Sequence, residues 1–176
     1  RIIMTNVLVV LISCLCIPHA IGFAMYDFWG LIVPITLVIS VAIAFQITPL
    51  LHSFNPYAGG LYNLSLWLAF AMTISWMFSN QSAVHFYFLA GATTAIAIFG
   101  VRQNFLSVFS IGLGLAGFII ADRNFHEPAS FINVSDGFLT AFYYASIPTA
   151  LVFIFCMVCS GFKQAATAEE ARQREY

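Results

Sequence analysis

Apolar residues run along the chain in six long blocks, roughly residues 4–25, 30–51, 59–79, 83–100, 104–121 and 137–161. Within a block they are continuous rather than alternating, which argues against membrane barrel strands and predicts helices. About 20 such residues cross a hydrocarbon core of roughly 30 Å. The separating segments, YDFWG, HSFNPYAGG, SNQSA, VRQN and DRNFHEPASFINVSDG, are rich in Asn, Ser, Gly, Pro and charge. The expected fold class is all-α: an integral membrane six-helix bundle. Five connections between six spans put both termini on one side.

Composition agrees with that pattern. Of 176 residues, 61% are hydrophobic and 7% charged, and the mean hydropathy is +0.94, well outside the soluble globular range. Basic residues choose the orientation. With the N-terminus cytoplasmic, Arg1, Arg102, Lys163, Arg172 and Arg174 lie inside and Arg123 alone lies outside. The bundle is therefore expected N-in and C-in. Asp27, Asp122, Glu127 and Asp136 then fall on the outer face, which would favour a small cationic ligand there. The chain begins with Arg1 and stops within a charged helical pattern at Tyr176, as a fragment of a longer protein would.

Soluble-type catalysis finds no support, because the sequence offers neither a phosphate-cradling Gly-rich loop nor a Ser/His/Asp order. The glycines of IGLGLAG sit inside the fifth span, where small residues let helices approach closely. Cys156 and Cys159 have CxxC spacing, but cysteines within a span serve more often as small packing residues. Span centres hold mainly Ser, Thr and an occasional Asn such as Asn63. An ion pump would place charge there.

The histidines carry the chemical interest. Under this topology His19 lies below the outer end of span 1, His85 at the outer start of span 4, and His126 in the last outer loop beside Glu127. His52 ends span 2 on the opposite side, where it reads as an interfacial residue. An ionisable side chain inside a span is a functional candidate, so His85, His126, Glu127, His19 and Asp122 form the expected outer ligand or metal site. Four readings remain open: a structural, hydrogen-bonded His85; a divalent ion such as zinc held by imidazole and carboxylate; a haem between His19 and His85; or an organic ligand. The many Phe, Tyr and Trp residues read as interfacial anchors and packing surface, and Pro18, Pro34, Pro49 and Pro148 as sites of bending.

After span 6, FKQAATAEEARQREY consists of strong helix formers without Gly or Pro. The last span should continue into the cytoplasm as a rod, with Phe162, Lys163, Ala165, Glu169 and Arg172 on the transmitting helix. This divides the chain into a six-helix sensor and anchor domain, 1–161, and the start of a signalling helix, 162–176.

PLLHSFN closing span 2, QSAVHFYFLAG opening span 4, IFGVRQNFLSVFSIGLGLAGFII through span 5 and CSGFKQAATAEEARQREY leaving span 6 give the chain its likeness to a known family. In their order and spacing they resemble the six-helix membrane region of bacterial membrane-bound class III adenylyl cyclases. Six-helix sensors of diguanylate cyclases and histidine kinases share this organisation. The resemblance implies anchoring, dimerisation as a parallel homodimer and ligand sensing in the bacterial inner membrane. It also implies a cytoplasmic domain that converts ATP to cyclic AMP with Mg or Mn, no part of which lies in these residues. Where relatives can hold a divalent cation in an acidic outer pocket, this chain has Asn80, Gln81 and His85. The other class of function is a haem-binding membrane cytochrome or a transport protein. The partners expected are the lipid bilayer and an unidentified extracellular or membrane-borne small ligand, without nucleic acid.

Overall fold

The computed structural model describes residues 2–55, 57–99 and 104–174. Their regular elements are helices, in the order α1 (Ile2–Asp27), α2 (Ile32–Phe45), α3 (Thr48–His52), α4 (Ala58–Phe78), α5 (Tyr87–Phe99), α6 (Asn104–Asn124) and α7 (Asp136–Arg174). The all-α bundle is as expected. Among the described residues five segments are long and apolar enough to cross a membrane: Thr5–Asp27, Ile32–His52, Ala58–Phe78, Phe105–Asn124 and Asp136–Thr167.

The second of these is two helices, α2 and α3, broken at Gln46 and Ile47. Pro49, in the first turn of α3, has no N–H to offer the Phe45 carbonyl four residues back, and the helix stops at Phe45. Pro18 and Pro148, by contrast, lie within α1 and α7 without ending either.

The fourth span departs from expectation. Its regular part, α5, has 13 residues, a rise of about 20 Å, so it is too short to cross a bilayer alone. Two single-turn 3₁₀ segments, Asn80–Ser82 and Val84–Phe86, precede it. Ser79 (φ 62°, ψ 176°) and Ala83 (φ 56°, ψ 13°) both have positive φ there; the left-handed helical conformation of Ala83 costs a non-glycine residue about 1–2 kcal/mol. Local and distant hydrogen bonds hold the turn. Ser79 Oγ accepts from Gln81 N, Ser82 Oγ donates to the Ser79 carbonyl, and Asn80 N donates to the Phe125 carbonyl at 2.7 Å.

What this segment loses in length it gains in burial. Ser82, Ala83, Val84, His85, Tyr87, Phe88, Ala90, Ala92, Thr94 and Ala95 are all buried, and α5 packs against both α6 and α7. On α6, Gly114 and Gly117 face α5. A Cβ at Gly114 would meet Ala92 Cβ at 2.8 Å and the Phe88 carbonyl at 3.0 Å, and one at Gly117 would run into the Phe88 ring. The glycines of the fifth span therefore work within the chain, except Gly112, which faces open space.

Residues 28–31, 79–86 and 125–135 connect helices at one end of the bundle, together with Asp27, Asp122, Glu127 and Asp136. We call this the acidic end. α7 leaves it and runs unbroken for 39 residues. Phe162, Lys163 and Ala165 are exposed on its far part; the side chains of Glu169 and Arg172 lie outside the described residues.

Candidate functional site

At the acidic end the strained turn is clamped to the loop after α6. Asn80 Nδ2 donates to the Asp122 carbonyl at 3.0 Å and lies 3.3 Å from His126 Nδ1. Gln81 Nε2 donates to the His126 carbonyl at 3.3 Å, and Ala129 N donates to the Met77 carbonyl at 3.1 Å. Asn80 and Gln81 thus hold two connections together.

His85 sits beneath this clamp, buried between the rings of Phe86 and Phe118 at centroid distances of 4.9 and 5.1 Å. Its Nε2 is 3.7 Å from Asp122 Oδ1, too long for a hydrogen bond but close enough for an ion pair when the imidazole is protonated. Nδ1 is buried without a partner among the described residues. Asp122 remains half exposed, so the pair spans the boundary between bundle and surroundings.

The structure brings together only part of the expected outer site. Asp122 joins His85, and His126 joins Asn80; Glu127 is exposed on the loop. Among the described residues no three His, Cys, Asp or Glu side chains form a group able to hold a metal ion. His19 belongs elsewhere. Its Nδ1 is 2.8 Å from the Leu15 carbonyl and its Nε2 is 3.0 Å from the Tyr87 hydroxyl. His85 lies against Phe118 of α6 and Tyr87 meets His19 of α1, so the two histidines face different neighbours.

His19 and Tyr87 instead border an interior cavity of about 40 Å³. A water needs roughly 10–15 Å³ by this measure, so the space accommodates a small polar group. Trp67, Phe70, Phe142, Phe153 and Cys16 are among its walls. Trp67 stacks on Phe153 at 5.2 Å and donates its Nε1–H to the Tyr87 carbonyl at 2.7 Å. Phe142 meets both Phe23 and Phe78 edge to face, beside His19. Part of the aromatic content read as packing surface therefore surrounds a space.

α7 contributes two further polar groups. Thr149 lines the cavity, and its hydroxyl donates to the Ala145 carbonyl at 2.7 Å. Ser146 stands close to the Tyr87 hydroxyl. It is wholly buried. Sequence reasoning missed Tyr87, Trp67, Ser146 and Thr149. The available signal was the pair of hydroxyl residues flanking Pro148 within an apolar run.

His52 also differs from its expected interfacial role. Both ring nitrogens are buried without hydrogen-bond partners among the described residues, and the ring lies against Gly59, where a Cβ would come within 2.6 Å of it.

These features, a helical membrane bundle with polar groups facing an interior space and one helix far longer than the rest, agree with comparison to known families. The MASE7 family model matches residues 1–176. The chain belongs to this family of membrane-associated sensor domains. No curated protein matches it.

Proposed function

Starting from a MASE7 domain that spans the whole chain, we propose that it anchors, dimerises and regulates a cytoplasmic class III adenylyl cyclase domain in the bacterial inner membrane. The acidic end faces outward in this reading. The carrying observation is α7. Its 39 residues span about 58 Å, roughly twice a hydrocarbon core. It begins at the acidic end, borders the cavity through Thr149 and continues through Arg174. A helix can carry a small rotation or shift along its length without unfolding. The resemblance of the QSAVHFYFLAG and CSGFKQAATAEEARQREY stretches to cyclase membrane regions supplies the identity of the output.

Two copies related by a two-fold axis would set paired output domains face to face. Gly112, open on α6, and the exposed outer face of α7 are available for that contact. At the outer face, His85 and Asp122 are the groups through which a cation or a proton would act.

The test uses the full-length protein in membrane vesicles, with cyclic AMP formation as readout. Asp122→Asn, which alters the acidic end, should change cyclic AMP output. Inserting two Gly residues after Lys163 should abolish the difference in output between the wild-type and D122N forms. If output still follows the Asp122 substitution in the insertion variant, α7 is not the conduit. Formation of cyclic di-GMP, or autophosphorylation, in place of cyclic AMP would replace the cyclase assignment by a diguanylate cyclase or histidine kinase.

A further inference from the structure

The turn over residues 79–86 is the junction of the acidic end. It packs against α4, α5, α6 and α7, and its longer hydrogen bonds run to the end of α6 and the loop beyond it. One donor in it has two partners: Asn80 Nδ2 lies 3.0 Å from the Asp122 carbonyl and 3.3 Å from His126 Nδ1. An amide nitrogen only donates, so His126 Nδ1 accepts, which it does as a neutral imidazole carrying its proton on Nε2. His126 is exposed and meets the outer medium. Protonation puts an N–H on Nδ1 as well, two donors then face each other, and the bond from Asn80 is lost.

His85 responds in the opposite sense. It is 5% exposed, and its Nε2 stands 3.7 Å from Asp122 Oδ1. While neutral it makes no hydrogen bond at that distance. As imidazolium it is drawn to the carboxylate, and the half-exposed Asp122 gives the proton its route from outside. Among the described residues Asp122 is the one charged group at ion-pair distance from His85. The ionisable groups on the surrounding elements are few. α4 brings none to this end, and α5 brings Tyr87, already bonded to His19. α6 brings Asp122 and Arg123, the loop His126 and Glu127, and the start of α7 Asp136; Arg123, Glu127 and Asp136 are exposed.

We propose that residues 79–86 form a proton-operated latch: neutral His126 ties the turn to the loop that leads into α7, and protonated His85 ties it instead to Asp122 on α6. Acidification outside moves the attachment of the turn from the α7 side to the α6 side. Both steps act through one residue, since Asn80 uses the Asp122 carbonyl and His85 its carboxylate. Between Asn80 and His85 stands the left-handed Ala83, a strained position of the kind found in switch regions. The turn itself packs against α7, the helix that leaves the acidic end for the cytoplasm. The inference rests on the sensor reading, with the acidic end outward, and names the proton as its stimulus.

The experiment is amide hydrogen exchange of the full-length protein in lipid nanodiscs at about pH 8 and about pH 5, the interval over which imidazole changes charge, corrected for the intrinsic pH dependence of exchange. On acidification the amides of residues 125–129 should lose protection about fivefold, the equivalent of one ordinary hydrogen bond, while those of residues 84–88 gain it. His126→Asn, whose side-chain oxygen accepts at either pH, should abolish the loss and keep the gain. His85→Gln should abolish the gain and keep the loss. Asn80→Asp, whose carboxylate accepts from protonated His126, should invert the response of the loop, and its sign decides the matter should either histidine variant melt early. Unchanged protection in the wild type over this interval overturns the proposal. So does a folded His126→Asn or His85→Gln variant that responds as the wild type does, or an Asn80→Asp loop that keeps the wild-type sign. Exchange is read without cyclic AMP, so its failure leaves the cyclase assignment standing. A latch that responds to pH without any effect on output would sink only the latter.

Discussion

The segment from Ser79 to Phe99 and the helix α7 are both apolar parts of one bundle, yet they are built on opposite plans. The first is short, starts with two residues of positive φ and is buried on nearly every side. The second is long, regular and largely exposed, with Tyr144, Leu151, Val152, Phe155 and Phe162 facing outward. Lipid is as apolar as leucine, so burial from water does not separate the two environments. Packing does. The first segment depends on shape fitted to its neighbours on nearly every side, and the second packs along one face only and leaves the other to composition and backbone hydrogen bonding. A region of the first kind suits a site, and one of the second suits a lever.

The comparison breaks most readily at Phe88, which is 1% exposed and packed against Gly117. Phe88→Ala should lower stability by about 3–5 kcal/mol, the cost of a large core deletion. Phe155→Ala on the outer face of α7, where the ring is 69% exposed, should change it by about 0.5 kcal/mol or less. Thermal melting of the purified variants in one detergent measures both. Equal losses would show that α7 is as tightly packed as α5.

Smaller effects are expected along α6. Gly117→Leu forces a side chain into the Phe88 ring and should cost about 1–3 kcal/mol by overpacking. Gly112→Leu meets nothing within 4 Å, so the folded chain should tolerate it. Cross-linking in native membranes adds a second readout: loss of a dimer in the Gly112 variant alone would place the two-fold contact on that face, and an unchanged dimer would exclude it.

The finest distinction concerns backbone. Ala83→Gly relieves a left-handed alanine and should leave stability unchanged or raise it by up to about 1 kcal/mol. Ala165→Gly in the exposed part of α7 should lower helix stability by about 1 kcal/mol. Hydrogen exchange of the amides near each position resolves the two signs. A loss of protection around Ala83 in its glycine variant would mean that the turn is held by side-chain packing rather than limited by backbone strain.

Much of this architecture is legible in the order of the residues. Continuous apolar runs separated by Gly, Pro, Asn and Ser locate the six segments, because hydrocarbon leaves a lone chain only the helix with which to satisfy its backbone. The unbroken polar run after Gly161 predicts the extension of α7. His85 and Asp122 follow as neighbours from topology, since each ends a span on the same side. These features depend on residues near one another in sequence, or on which end of a span they occupy.

Other features require the packed molecule. The positive-φ turn at Ser79 and Ala83 is held by the Phe125 carbonyl and by Asn80 reaching Asp122, partners more than 40 residues away. Nothing local to SNQSA specifies them. Where that turn ends fixes the helical phase of α5. The same turn sends His85 to α6 and Tyr87, the first residue of α5, to His19, dividing what the sequence suggested was one site. Likewise, the hydrogen bond of His19 to Tyr87 and the space beside it arise only when α1, α5 and α7 meet. Sequence alone determined which segments are apolar enough to enter the membrane and which helix can run beyond it. The tertiary structure decided which face each helix presents to its neighbours, because helical phase is set by contacts between spans rather than by hydrophobicity within them.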